Sequence, residues 1–141
     1  MVRTVGGDSD PGVIGRGVRQ GCPILPLLFS IYAEVTMIEA LEDMEEGVPV
    51  GGQLVNDVEF ADDQGMVAGT EMVLQRLMNK LNDTAKNFGM KINIQKTKTM
   101  VVRWDGGCVV SITVDGKRIE QVKSFKYLGS VITETEEAIV M

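Results

Sequence analysis

The sequence predicts an α+β fold, and three observations predict it. Two long segments, starting near Leu27 and Thr70, repeat apolar residues at three- and four-residue steps, the period of a helix packed along one side. Several shorter segments rich in Val, Ile, Phe and Thr have the length and composition of strands. Between them lie Gly51-Gly52, Asp62-Asp63-Gln64-Gly65 and Asp115-Gly116, turn chemistry that folds neighbouring strands back on each other as hairpins. With 141 residues, a chain of this class can form one core and bury about two-thirds of its unfolded surface.

Taken in order, residues 1–17 read as a short extended start, Val2 to Val5, followed by a polar loop. In Gly17-Val18-Arg19-Gln20-Gly21-Cys22-Pro23 two glycines permit close backbone approach, and Pro23 and Pro26 prepare a helix start. That helix runs from Leu27 to about Glu45, with Leu28, Ile31, Tyr32, Val35, Ile38 and Leu41 as its apolar stripe. Its end carries Glu39, Glu42, Asp43, Glu45 and Glu46, an unfavourable placement at the negative pole of the helix dipole and best read as a solvated face. After the Gly51-Gly52 turn, Val55, Val58 and Phe60 lead into the Asp62-Asp63 turn, and Met66 and Val67 lead out of it. Thr70 is the N-cap of the second helix, whose stripe is Val73, Leu74, Leu77, Leu81, Ala85 and Phe88, with Gly89 placed as its C-terminal cap. Met90 to Ile94 and Thr99 to Val102 read as strands around a turn at Gln95 to Lys98. Val109 to Val114 and Lys117 to Val122 flank Asp115-Gly116, Phe125 to Ile132 adds one more strand-like stretch, and the acidic tail from Glu134 is expected to fray.

Composition removes whole classes of function. The chain has no histidine, so imidazole bases and most zinc enzymes are excluded, and any chemistry falls to carboxylates and lysines. Cys22 and Cys108 lack metal or disulfide spacing and read as reduced, partly buried thiols. No apolar run reaches the roughly 18 residues of a membrane span, and the N-terminus lacks the apolar stretch of a signal peptide, which gives a nuclear or cytoplasmic expectation. The net charge of −6 argues mildly against a general nucleic-acid binder. The distribution matters more: residues 1–75 hold 3 of 14 basic and 13 of 20 acidic residues, so the second half is locally basic.

The stretch Leu54 to Gly69 carries the chemical signal. Adjacent aspartates at a tight turn are often only solvated loop, but hard divalent cations are held by one or two carboxylates plus substrate phosphates. Both readings stand on the stretch alone; the blocks around it weigh between them.

Four blocks occur in order: GVRQGCPILPLLFSIY from Gly17, FADD from Phe60, GMKINIQKTK from Gly89 and FKYLG from Phe125. Together they resemble the palm of reverse transcriptases from LINE-type (non-LTR) retrotransposons, over nearly the whole chain. The resemblance implies an antiparallel sheet with two helices on one face, a palm over 1–104, a C-terminal hairpin and primer-grip-like segment over 105–133, and a tail over 134–141. It implies that Asp62 and Asp63 hold Mg²⁺ or Mn²⁺, weakly if at all in this chain, for two-metal nucleotidyl transfer. It further implies Lys96 near the triphosphate as a proton donor to pyrophosphate. Arg19, Gln20 and Gly21 would lie against the nascent base pair, and Phe125, Lys126, Tyr127, Leu128 and Gly129 would grip the primer. An RNA template and a DNA primer are the implied partners. Bland alternatives remain for Lys96 as an exposed turn residue and for the FKYLG stretch as an aromatic strand edge.

The chain departs from the family pattern in several places. Phe60 stands for the usual tyrosine, Gln64 for a small polar residue and Leu25 for a serine. The third metal-binding aspartate, on a strand upstream of the Arg19-Gln20-Gly21 block, has no counterpart, because Asp8 and Asp10 lie in a polar loop. Fingers and thumb, which the resemblance also implies for the whole enzyme, are not expected within these residues. The expectation is therefore a piece of an RNA-directed DNA polymerase, inactive alone, or else an element remnant that is inert or reused as a nucleic-acid or protein binding module. An unpaired sheet edge beside the aspartate hairpin is expected to favour self-association, or a strand borrowed from Met1 to Val5.

Overall fold

The structure, a computed structural model, describes residues 3–4, 7–8, 23–42, 44–60, 63–102 and 108–134, with backbone only for 3–4, 7–8 and Phe60. The N-terminal strands β1 (Arg3–Thr4) and β2 (Gly7–Asp8) pair antiparallel with each other. The extended start therefore pairs with Gly7 and Asp8, placed in a loop by the sequence reading, and not with the aspartate hairpin. The next element is α1 (Leu25–Leu41), with proline in its first turn and no side-chain cap on its N-terminal N–H groups. It stops a turn short of Glu45. Its last turn has no basic residue to offset the dipole, and the carboxylates beyond Leu41 oppose its extension.

Two hairpins follow: β3 (Val48–Val50) with β4 (Gln53–Val55) around Gly51-Gly52, then β5 (Asp57–Phe60) with β6 (Asp63–Met66). Then α2 (Glu71–Asn87) begins and ends as expected: the Thr70 hydroxyl accepts from the Val73 N–H at 3.3 Å, and Gly89 takes φ +71°. After it the structure departs from the sequence reading. Residues 90–94 form no strand: no ladder partner pairs with them among the described residues, and Ile92 and Ile94 pack into the core beside Ile112 and Ile119. The second strand shrinks to β7 (Lys98–Thr99), which pairs in parallel with β10 (Glu120–Gln121). β8 (Thr113–Val114) and β9 (Lys117–Arg118) make the expected hairpin on Asp115 (φ +49°) and Gly116 (φ +74°), and the Ile119 N–H to Ile112 C=O bond of 2.8 Å extends it. The last stretch is a hairpin in itself, β11 (Ser124–Tyr127) against β12 (Ser130–Thr133), turning at Leu128-Gly129.

The architecture is α+β, with six two-stranded ladders among the described residues in place of one continuous sheet. Two packed clusters hold it together. Met78, Ile112, Val114 and Ile119 form one, and Met37, Ala40 and Leu81 the other; Met66 and Ile92 pack against both. The helices cross through Ala33, Thr36, Met37 and Ala40 of α1, with small residues allowing close approach. Tyr32 adds an edge-to-face contact with Phe88, centroids 5.3 Å apart, and its hydroxyl donates to the Phe88 carbonyl. The apolar stripe expected to face the core is thus displaced around the helix: Leu28, Ile31, Val35 and Ile38 are exposed. No described helix is long and apolar enough to cross a membrane.

Candidate active site

The β5–β6 ladder positions the aspartates. Its register pairs Phe60 with Asp63, Val58 with Gly65, Glu59 with Gln64 and Asp57 with Met66. Cross-strand partners share a face and successive residues alternate faces. Met66 packs against both core clusters, so Asp57, Glu59 and Gln64 lie on the helix side and Asp63 on the opposite, open side. The Asp63 carboxylate is exposed and makes no hydrogen bond or ion pair among the described residues. The turn is tighter than the sequence suggested: Asp63, Gln64 and Gly65 are strand, and only positions 61 and 62 separate the paired residues Phe60 and Asp63. Asp62 itself lies outside the described residues, as do Arg19, Gln20, Gly21, Cys22 and the tail from residue 135.

Lys96 sits on a compact turn after α2. The Asn93 side-chain oxygen accepts from the Lys96 N–H at 3.2 Å, and the Asn93 carbonyl accepts from the Thr97 N–H and hydroxyl, both at 2.9 Å. The neighbouring Lys98 is occupied, with its Nζ 2.5 Å from Glu120 and 3.0 Å from the Gln95 carbonyl. Lys96 has no such partner among the described residues and stands exposed. Met66, three residues beyond Asp63, and Ile92, four residues before Lys96, pack against the same clusters, so the segments carrying Asp63 and Lys96 spring from one packed junction.

The β11–β12 hairpin carries Phe125 to Gly129. Phe125 and Leu128 are 39% and 53% exposed, and Lys126 is exposed and unpaired among the described residues. Leu128 holds φ +49°, a left-handed conformation that costs a leucine about 1–2 kcal/mol. Leu128 and Gly129 both take positive φ at this turn, and the sequence showed only half of it, through Gly129. Glu59 escaped sequence reading as well. Its Oε1 is buried with no hydrogen-bond partner among the described residues, and burial, then Asp57 and Glu34 beside it, push its carboxyl above the ordinary range. The alternation Asp57-Val58-Glu59 was the available signal for an acidic face on this hairpin.

Carboxylate oxygen on an exposed hairpin suits a hard divalent cation, and Asp63 supplies one such donor. Among the described residues no three acidic, cysteine or histidine side chains gather as a metal site.

Comparison with known proteins places this geometry. Residues 4–132 match the family described as reverse transcriptase (RNA-dependent DNA polymerase). The Retrovirus-related Pol polyprotein from the type-2 retrotransposable element R2DM of Drosophila melanogaster is 34% identical over 139 residues, which cover 92% of this chain and 13% of that protein. The RNA-directed DNA polymerase from mobile element jockey of the same organism is 26% identical over 125 residues, 82% of this chain and 13% of that protein. A Retrovirus-related Pol polyprotein from the type-1 retrotransposable element R2 of Popillia japonica is 25% identical over 124 residues, covering 82% of this chain and 17% of that protein. The chain therefore spans well under a fifth of the length of these relatives. The four sequence blocks, the hairpin that presents Asp63, and a match running through nearly every described element agree: the chain belongs to the reverse transcriptase (RNA-dependent DNA polymerase) family.

Proposed function

We propose that the chain is a palm segment of a non-LTR retrotransposon polymerase, whose whole enzyme transfers deoxynucleotides to a primer 3′ end on an RNA template. The observation that carries this reading is Asp63 on the open face of β5–β6, its carboxylate without a partner among the described residues, beside Asp62 in sequence. Asp62 and Asp63 would hold Mg²⁺ or Mn²⁺, which when bound supplies Lewis-acid stabilisation of the attacking and leaving oxygens. The chain's own groups do the rest. Lys96, presented on its Asn93-anchored turn, would hold a proton at Nζ for the departing pyrophosphate. Arg19, Gln20 and Gly21 would orient the nascent base pair, and Phe125 to Gly129 would hold the primer strand, with Lys126 on its phosphates. Residues 1–104 then act as palm and 105–133 as the primer-gripping part.

The test is primer binding and extension by the purified chain on an RNA template with Mg²⁺ or Mn²⁺. Primer-template binding is expected to weaken as salt rises, and to weaken about tenfold in Lys96→Glu/Lys126→Glu. Any extension is expected to vanish in Asp62→Asn/Asp63→Asn while binding persists. Binding that ignores salt and both lysines, or extension that survives loss of the carboxylates, would overturn the reading.

A further inference from the structure

Gln95-Lys96-Thr97-Lys98 places two lysines two positions apart on one turn, and composition alone gives no reason to prefer either as the contact for an anion. The structure separates them. Lys98 Nζ donates to the Gln95 carbonyl at 3.0 Å and to Glu120 Oε2 at 2.5 Å, and its side chain is only 25% exposed. Lys96 makes neither bond among the described residues and is exposed.

The bonds of Lys98 act on the backbone that carries Lys96. Its bond to Gln95 reaches back three residues and closes the turn over Lys96 and Thr97. Asn93 holds the same turn from the other side, its side-chain oxygen and its carbonyl both accepting from the Lys96 N–H, at 3.2 and 3.1 Å. Glu120 then fixes the turn against a separate element. It opens β10, which pairs in parallel with β7 through Glu120 opposite Lys98 and Gln121 opposite Thr99, and the Val122 N–H donates to the Thr99 carbonyl at 2.8 Å. β11, which carries Phe125 to Tyr127, starts two residues beyond Val122. The Lys96 turn and the β11–β12 hairpin are thus tied through one short ladder, with Lys98–Glu120 as a side-chain bond across it. An ion pair whose acidic side chain is 67% exposed adds little to global stability, so its consequence is local, in where the turn stands.

We propose that Lys98 is a positioning residue for Lys96. Tied to Gln95 and Glu120, its ammonium holds the turn that presents Lys96 to a diphosphate or triphosphate, stays out of the anion contact itself, and fixes that turn relative to the primer-holding hairpin. The assignment rests on the polymerase reading of Lys96 and adds Lys98 and Glu120 to it.

The test is calorimetric titration of the full chain with inorganic pyrophosphate at low salt, and Glu120→Gln gives it a sign. Removing a carboxylate makes the chain more positive, so charge alone predicts tighter binding. Loss of the Lys98 anchor predicts weaker binding, by about threefold or more. Lys98→Met is expected to weaken binding to a similar degree in the parent and to have no further effect in Lys96→Met, which itself loses about tenfold. Lys98→Arg, which keeps the charge and the donors, is expected to restore most of the affinity. Glu120 and Lys96 are exposed, and far-UV circular dichroism checks that each variant folds. Tighter or unchanged binding in Glu120→Gln overturns the proposal. So does a Lys98→Met loss that persists undiminished in Lys96→Met, because Lys98 would then touch the anion itself. If Lys96→Met binds pyrophosphate as the parent does, or the parent binds none, the polymerase reading of Lys96 falls and takes the proposal with it. A loss in Lys96→Met with none in Glu120→Gln and Lys98→Met overturns the proposal alone.

Discussion

At the scale of single residues, Asp115 does two jobs. It occupies the left-handed position of the β8–β9 turn, and its carboxylate accepts from Lys86 Nζ and, at 2.9 Å, from Asn82 Nδ2, tying the hairpin to α2. The Lys86 hydrogen bond first, then that of Asn82, hold its carboxyl below the ordinary range, with burial opposing and the charges of Lys86 and Lys91 adding. A carboxyl lowered in the folded state binds fewer protons there than in the unfolded chain. Its stabilisation is therefore complete above the ordinary aspartate range and is lost as pH falls through the lowered value. Asp115→Asn keeps a residue that tolerates positive φ and removes the charge. Its melting temperature is expected to lie below that of the parent at neutral pH, with the gap closing in acid; a gap constant with pH would show that the charge contributes nothing. Asp115-Gly116 was legible in the sequence because the dipeptide matches the turn's backbone demand. Leu128 was not, since leucine has no preference for the conformation it is held in.

At the scale of elements, two glutamines do what a neighbouring strand would do. The segment leading into β8 has no ladder partner among the described residues, yet side chains hydrogen-bond much of its backbone. Gln75 on α2 donates to the Thr113 carbonyl and accepts from the Thr113 N–H, each at 2.8 Å, and Glu71 accepts from the Ser111 N–H at 2.8 Å. Gln121 accepts from the Val110 N–H at 2.9 Å and donates to the Cys108 carbonyl at 2.7 Å. With Ser111 and Thr113 held outward, Ile112 and Val114 are set into the core. Gln75→Ala breaks both bonds at once and is expected to destabilise the chain by about 1–3 kcal/mol, with Gln75→Glu, which lacks the donor, falling between. Urea unfolding measures both, and an unchanged midpoint in Gln75→Ala would mean that water replaces the clamp at no cost. This stitching explains what the sequence concealed. α2 was legible end to end because cap, stripe and terminal glycine are local signals. The 90–102 and 108–114 segments have strand composition, but whether they become strands depends on partners distant in sequence. On α1 the period was visible, but the large residues that define the stripe face outward and the small ones beside them allow the helix crossing. The hairpin presenting Asp63 was legible from its flanking apolar residues, although the strand resumes earlier than turn composition suggested.

At the scale of the whole molecule, the balance of buried and exposed apolar groups decides how the chain behaves. Among the described residues ten hydrophobic side chains are buried, three of them alanines, while eighteen large ones are exposed, from Ile24 on α1 to Ile132 on β12. The two core clusters are small and joined through Met66 and Ile92, and every described ladder has only two strands, a unit of marginal stability in water. The dependence of unfolding free energy on denaturant scales with the surface exposed on unfolding. A chain that already exposes much of its apolar surface has less to expose. The urea slope is therefore expected at or below about 1 kcal/mol per molar, the bottom of the range for small proteins, with a broad transition and strong binding of an apolar dye before unfolding. Free strand edges add a second expectation, self-association that grows with concentration and that sedimentation velocity would register. A steep, cooperative transition of a dye-free monomer would show instead that the exposed side chains are covered within the chain itself.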